Sequence, residues 1–378
     1  MKFKIEKHIF KKTEELAFIR IKEDTELNLE GYNIPSDGLD VPIKNEVLVK
    51  GIKEGTAQNN LNLMSLADAM IYIIGIDHKF KYNEEYKKFL KALDDKINVD
   101  IESYIGYMGR KKFEEGEMSD SLAYFKSLIT MDNNNINGLY HYALVCQEIA
   151  KIHQKNSQEK EMNDFLLEAL DKLEIILEID PSFGPAFYQL GYHYYNQGQY
   201  IKAKLTWEQG LELNLDEEST MEIQEQLGKI QNKVQYEEGY NLVFQGKSEE
   251  GLEKLIPLVE EYPEWWNLLF IIGLAYKDMQ DLGEAINYFE KILILKPQQV
   301  DTLMELGLCY SMIDMEKTIE YFHKALDIKE DPEILCNLGM AYLNNGDVDI
   351  ARDYIEKAYE LNPEDEITVA CMRELDNY

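Results

Sequence analysis

A small residue followed by tyrosine three positions later recurs along the chain. The four clearest copies are Leu190-Gly-Tyr-His-Tyr194, Ile272-Gly-Leu-Ala-Tyr276, Leu306-Gly-Leu-Cys-Tyr310 and Leu338-Gly-Met-Ala-Tyr342. Weaker copies centre on Gly109, Ala143 and Gly239, and the seven centres are spaced by 34, 48, 48, 34, 34 and 32 residues. A period of this size implies one supersecondary unit per repeat. Such a unit cannot bury its apolar face alone, so it must stack on its neighbours.

A second block follows each centre. Ala285, Phe289 and Pro297 follow Gly273; Ala351, Ile355 and Pro363 follow Gly339; Ala203 and Trp207 follow Gly191. Leu303, Leu306, Gly307 and Tyr310 form a helical stripe. The central glycine lets the second helix approach closely, and a small residue faces a large one across the pair. Pro181, Pro263, Pro297 and Pro363 end helices. Asp281 and Glu284 read as a capping box.

The pattern resembles the tetratricopeptide repeat (TPR) family from Glu102 to Pro363. The resemblance implies an all-α, TPR-type helical-hairpin solenoid coiled as a right-handed superhelix. The expected units are 102–135, 136–183, 184–217, 232–265, 266–299, 300–331 and 332–365, with a capping helix over 364–378. Each 48-residue spacing adds 14 residues, about four helical turns. In the second unit, two extra turns on each helix keep the faces in register. The insert near Glu218–Gln231 reads as an extension of the next helix.

Upstream, 59–101 reads as a divergent helix pair, Leu61–Ile76 and Tyr82–Ile97, with Asn59 or Asn60 as a cap. Residues 1–58 fall outside the repeat and read as a small β-rich or irregular element. Leu16–Ile21, Glu26–Glu30 and Glu46–Lys50 are the candidate strands, with Gly31, Pro35, Gly38 and Pro42 marking a loop.

Lys plus Arg number 39 and Asp plus Glu 71, a net charge of −32. Residues 1–60 hold ten basic and eleven acidic side chains, so nearly all of that charge belongs to the repeats. It argues against nucleic acid and anionic lipid as partners. The longest apolar run, Ala69–Ile76, is too short for a membrane span. The first twelve residues are basic and lack the apolar core of a secretory signal. Four cysteines make no disulfide framework, and the expected compartment is the cytoplasm.

The six histidines form no zinc spacing, and Gly228-Lys229 and Gly246-Lys247 lack the rest of a phosphate loop. No catalytic residue, metal or cofactor is expected. Cys146, Cys309, Cys336 and Cys371 read as small buried hydrophobes, with contact conceivable between Cys309 and Cys336.

TPR proteins line an inner groove with residues of the first helix of each pair. Carried over by resemblance, those positions are Tyr140 and Leu144 in the second unit and Tyr188, Tyr192, Tyr195 and Asn196 in the third. The fourth supplies Tyr236, Tyr240, Val243 and Phe244, and the fifth Asn267, Phe270, Leu274 and Lys277. The sixth supplies Met304, Leu308 and Met312, and the seventh Cys336, Met340, Leu343 and Asn344. A Tyr- and Met-rich face inside an acidic shell suits an amphipathic helix or extended peptide with basic flanks. The same side chains could instead pack internally. Asn196, Lys277 and Asn344 alone do not make the clamp for acidic peptide ends found in some TPR co-chaperones. The expected function is a non-enzymatic protein-interaction scaffold. Alternatives are a peptide-sensing TPR regulator of bacterial signalling, disfavoured because the chain does not start with a helix-turn-helix, or an enzyme confined to the N-terminal element.

Overall fold

The computed structural model describes residues 3–5, 15–25, 27, 29–54, 62–97 and 100–377. These form one two-stranded sheet and a succession of helices. They fall into two compact units. The first is Met1–Gln197 with Leu205–Ile223, and the second is Gly198–Lys204 with Gln224–Tyr378.

In the first unit, β1 (Leu16–Ile21) pairs antiparallel with β2 (Leu39–Lys44), from Leu16 opposite Lys44 to Ile21 opposite Leu39. Leu39, Val41 and Ile43 alternate inward and are buried. Only the first expected strand forms as read. Glu26 and Asn28 lie outside the described residues, and Leu27, Leu29 and Glu30 are not in a strand. Glu46–Lys50 belongs to α1 (Asn45–Glu54), a helix. Its short apolar run, Val47 to Val49, is ambiguous between strand and helix. Pro42, expected in a loop, sits in β2 opposite Phe18. A two-stranded sheet has only edge strands, where a missing N–H is tolerated.

The apolar α2 (Leu63–Ile76) is capped by Asn62, whose side chain accepts the Ser65 N–H. Asn59 and Asn60 lie outside the described residues. Helices α3 (Asn83–Ile97), α4 (Ile101–Glu114) and α5 (Met118–Met131) follow. α2 lies against α5 so closely that a Cβ on Gly75 would stand 1.9 Å from the Ala123 carbonyl oxygen. Lys44, at the end of β2, docks the hairpin here. Its Nζ is 2.8 Å from Asp68 Oδ2 and donates to the Tyr124 hydroxyl at 2.7 Å. Tyr124 and Tyr104 both donate to Asp68 Oδ1.

The next pair is long: α6 (Ile136–Lys155) has 20 residues and α7 (Glu159–Ile179) has 21. The extra residues of the 48-residue spacing lengthen both helices. In α8 (Gly184–Asn196) and α9 (Tyr200–Leu211), the glycine–large pairing is explicit. A Cβ on Gly191 would stand 2.1 Å from Trp207 Nε1. The insert after α9 is helical and continuous with the next helix, α10 (Glu217–Phe244).

The second unit continues with α11 (Ser248–Glu261), α12 (Trp266–Asp278), α13 (Leu282–Leu295), α14 (Val300–Tyr310), α15 (Met315–Ile328), α16 (Pro332–Asn345), α17 (Val348–Leu361) and α18 (Glu366–Leu375). Pro181, Pro263, Pro297 and Pro363 each stand two residues beyond a helix end. Asp281 accepts the Glu284 N–H at 3.2 Å. A Cβ on Gly307 would meet Phe322 at 2.3 Å, so the first helix seats on the aromatic ring of the second.

The recurring tyrosine has a separate task. Tyr276 stacks on Tyr288, Tyr310 on Tyr321 and Tyr342 on Tyr354, with centroids 5.7, 5.5 and 5.7 Å apart. In these three pairs, glycine and tyrosine thus hold the two helices together at two points. All four cysteines are buried. Cys309 packs with Leu306 and Phe289, whereas Cys336 shares a core cluster with Cys371. The expected neighbour of Cys336 is therefore corrected: the last helix, α18, supplies it. A thiol hydrogen bond to Cys371, and then burial, push the Cys336 thiol up.

Candidate functional site

The two units present their first-helix residues differently. In the first unit, the tyrosines of α8 gather around Trp207. Tyr192 meets the indole edge-on at 5.0 Å, Tyr195 lies 6.1 Å from it, and Tyr188 packs edge-on against Tyr192 at 5.1 Å. The Trp207 Nε1–H donates to the Tyr188 carbonyl at 3.2 Å. Glu222 accepts both hydroxyls: Tyr188 donates to Oε2 and Tyr192 to Oε1, each at 2.6 Å. Burial, and then the neighbouring carboxylate, push both tyrosine pKa values up. Tyr140 packs edge-on against Phe183 at 5.4 Å, and burial raises its pKa too. Asn196 is exposed at the end of α8. These tyrosines are half-buried and largely spoken for by one another.

Sequence reasoning missed Glu222. The repeat pattern carried no signal for it, because Glu222 lies in the insert between the third and fourth units, and the position equivalent to Tyr188 in the next unit is Tyr236.

The second unit leaves more apolar surface open. Tyr236 lies against Trp265 at 4.4 Å and is half-buried. Tyr240 stacks on Phe244 at 4.5 Å, and they are 37% and 62% exposed. Phe270 and Leu274 are half-buried against the cores of neighbouring pairs. Lys277 forms an ion pair with Glu305. Leu308 is 38% and Met312 82% exposed. Met340 is half-buried against the terminal core, and Asn344 is exposed.

Four expected groove residues are core instead. Met304 is buried with Leu303, Phe322 and Leu338, and Val243, Cys336 and Leu343 are buried in neighbouring clusters. Their helices turn these side chains toward the adjoining pair, so they offer a ligand no surface. Ile313, 58% exposed beside Met312, and Met279, 46% exposed after α12, extend the open set.

Among the described residues, no three or more His, Cys, Asp or Glu side chains are grouped to hold a metal. No helix among them is long and apolar enough to cross a membrane.

The tetratricopeptide repeat models match residues 267–299 and 332–365. Photosystem I assembly protein Ycf3 of Prochlorococcus marinus (strain NATL2A) is 34% identical over 105 residues, 26% of this chain and 60% of that protein. The chain thus spans less than two thirds of that relative. The human cell division cycle protein 16 homolog is 29% identical over 85 residues, 22% of this chain and 14% of that protein. Among solved structures, a thermophilic TPR protein from Thermus thermophilus aligns with a TM-score of 0.36 at 21% identity, covering 51% of this chain and 98% of that one. The Cut9 and Hcn1 assembly of the APC/C aligns with a TM-score of 0.40 at 15% identity, covering 88% of this chain and 66% of the matched chain. With the glycine–aromatic pairs, the stacked tyrosines and two units matched by the repeat models, the chain carries tetratricopeptide repeats.

Proposed function

We propose that the chain is a non-enzymatic protein-interaction scaffold that takes an amphipathic helix or extended peptide with basic flanks. The single observation behind this reading is the open apolar set on first helices of the second unit and in the turn that follows α14. Tyr240, Phe244, Leu308 and Met312 all keep more than a third of their surface exposed. Aromatic and methionine side chains supply adaptable contact area to an apolar partner face. Around them the chain is strongly acidic, at −32 overall, which favours a partner with basic flanks. Similarity to a photosystem assembly protein supports a scaffold role in general, without carrying its partner across.

Affinity capture from cells, followed by mass spectrometry, tests the reading. Tyr240→Ala with Phe244→Ala removes two exposed rings, so helical circular dichroism stays at the wild-type level while the captured partner is lost. Undiminished capture by the folded double variant sinks the proposed face.

A further inference from the structure

The first unit contains a slot that the chain itself fills. Three fully buried charged side chains, Lys126 on α5 and Glu168 and Lys172 on α7, lie beneath Phe3–Ile5. Glu168 Oε2 accepts the Lys4 backbone N–H at 2.7 Å, while Oε1 accepts the Tyr142 hydroxyl at 3.3 Å and lies 3.2 Å from Lys172 Nζ. The Phe3 ring has the Lys126 ammonium 4.5 Å and the Lys172 ammonium 5.0 Å from its centroid, and it meets Tyr142 edge-on at 5.8 Å. Ile5 is completely buried. Lys4 points outward, with its Nζ 3.9 Å from Asp171.

This is recognition chemistry rather than ordinary core. Buried charges are costly, and an apolar floor would serve packing as well or better. Lys172 also pairs with Asp171, its Nζ donating to Oδ2 at 2.7 Å, and beyond these internal pairs the charges address a main-chain N–H and an aromatic face, two groups that a peptide with an aromatic residue presents. An open depression of about 410 Å³ lies beside Lys4, with Asp171 and Glu178 on its wall.

We propose that this slot is a peptide-binding site for a short segment, turned as Lys4 and Ile5 are, that carries an aromatic, a basic and a branched aliphatic residue in succession. Phe3–Ile5 occupies it in cis, and a partner with the same triplet takes it in trans by displacing them. The site is separate from the exposed first-helix face of the second unit and does not depend on the role proposed for it.

The test uses the full chain with Phe3→Ala and Ile5→Ala, which empties the slot of its anchors. The probe is a peptide of the first five residues, labelled through a C-terminal linker and followed by fluorescence anisotropy. It should bind the double variant at least tenfold more tightly than the wild type, and Phe3→Ala in the peptide should cost at least tenfold. Equal affinity for the two chains, or indifference to the peptide ring, overturns the proposal. Should the double variant lose its helical circular dichroism, the wild-type chain with 4-fluorophenylalanine at position 3 decides. A tethered segment competes at an effective concentration of about millimolar. Unlabelled pentapeptide in the millimolar range should therefore move the fluorine resonance to its solvent-exposed position. A resonance that stays in place overturns the proposal.

Discussion

The Tyr192 hydroxyl donates to Glu222 Oε1 at 2.6 Å, and the other oxygen of the same carboxylate accepts Tyr188. One acidic side chain on α10 thereby orders two rings on α8. Removing it leaves both hydroxyls without this acceptor. A hydrogen bond to a charged group contributes about 1.5–3 kcal/mol when well buried, and less where water reaches it. Glu222→Ala should therefore destabilise the first unit by about 1–2 kcal/mol, read as a lowered urea midpoint. Tyr192→Phe, which keeps the ring on Trp207, should cost less. Midpoints identical to wild type would show that the bonds contribute nothing.

Close approach at the repeat glycines predicts a second effect. Gly307→Ala places a methyl group 2.3 Å from the Phe322 ring, so the ring or the helix must shift. Overpacking of this kind costs about 1–3 kcal/mol. Gly228, inside α10, has nothing within 4 Å of its would-be Cβ. There the better helix propensity of alanine should win, and Gly228→Ala should stabilise by about 0.5–1 kcal/mol. Thermal melts of the two variants should move in opposite directions.

The docking of the β-hairpin gives a third prediction. Lys44 and Asp68 are mostly buried, with side chains 15% and 17% exposed. Lys44→Met strands the Asp68 carboxylate beside two tyrosine hydroxyls. Breaking one side of a buried pair costs about 3–5 kcal/mol, and partial exposure brings the expected loss toward the lower end. Lys44→Met with Asp68→Leu should cost less than Lys44→Met alone. A double variant no better than the single would mean that packing, rather than the pair, holds the hairpin.

Alkaline pH should unfold the first unit early. Burial, and then the Glu85 charge, push Tyr32 up to about 12, and burial raises Tyr72, Tyr86 and Tyr124 as well. Each folded pKa lies above the value near 10 of the unfolded chain. Above pH 10 the unfolded state therefore loses these protons while the folded state keeps them. The stability they contribute is complete below pH 10 and falls progressively above it, for Tyr32 until about pH 12. Urea midpoints should fall between pH 10 and 11, with tyrosinate absorbance rising at the unfolding transition. Ionisation of every tyrosine near pH 10 with the helices intact would contradict the burial.

The repeats were legible because their determinants are local. Gly191 with Trp207, Gly307 with Phe322 and the prolines two residues past helix ends all act within one helical hairpin, so their spacing survives in the linear order. Alternation at Leu39, Val41 and Ile43 was also there to read, but Gly38 and Pro42 masked it as a loop. Glu46–Lys50 failed for a different reason, since so short an apolar run fits either period and its surroundings choose.

The sequence by itself determined the repeating helical pairs, the small-against-large packing inside them and the acidic character of the chain. Only the tertiary structure decided which candidate groove residues are open and which are core. Met304 and Phe244 are both apolar residues on first helices, yet one is 9% exposed and the other 62%. The difference lies in what the adjoining pair covers, and neither periodicity nor composition records it. The same holds for Lys4 and Glu168, which are 164 residues apart and hydrogen-bonded. Contacts at that separation exist only after stacking has brought the helices together, so their chemistry appears in the fold and not in the linear pattern.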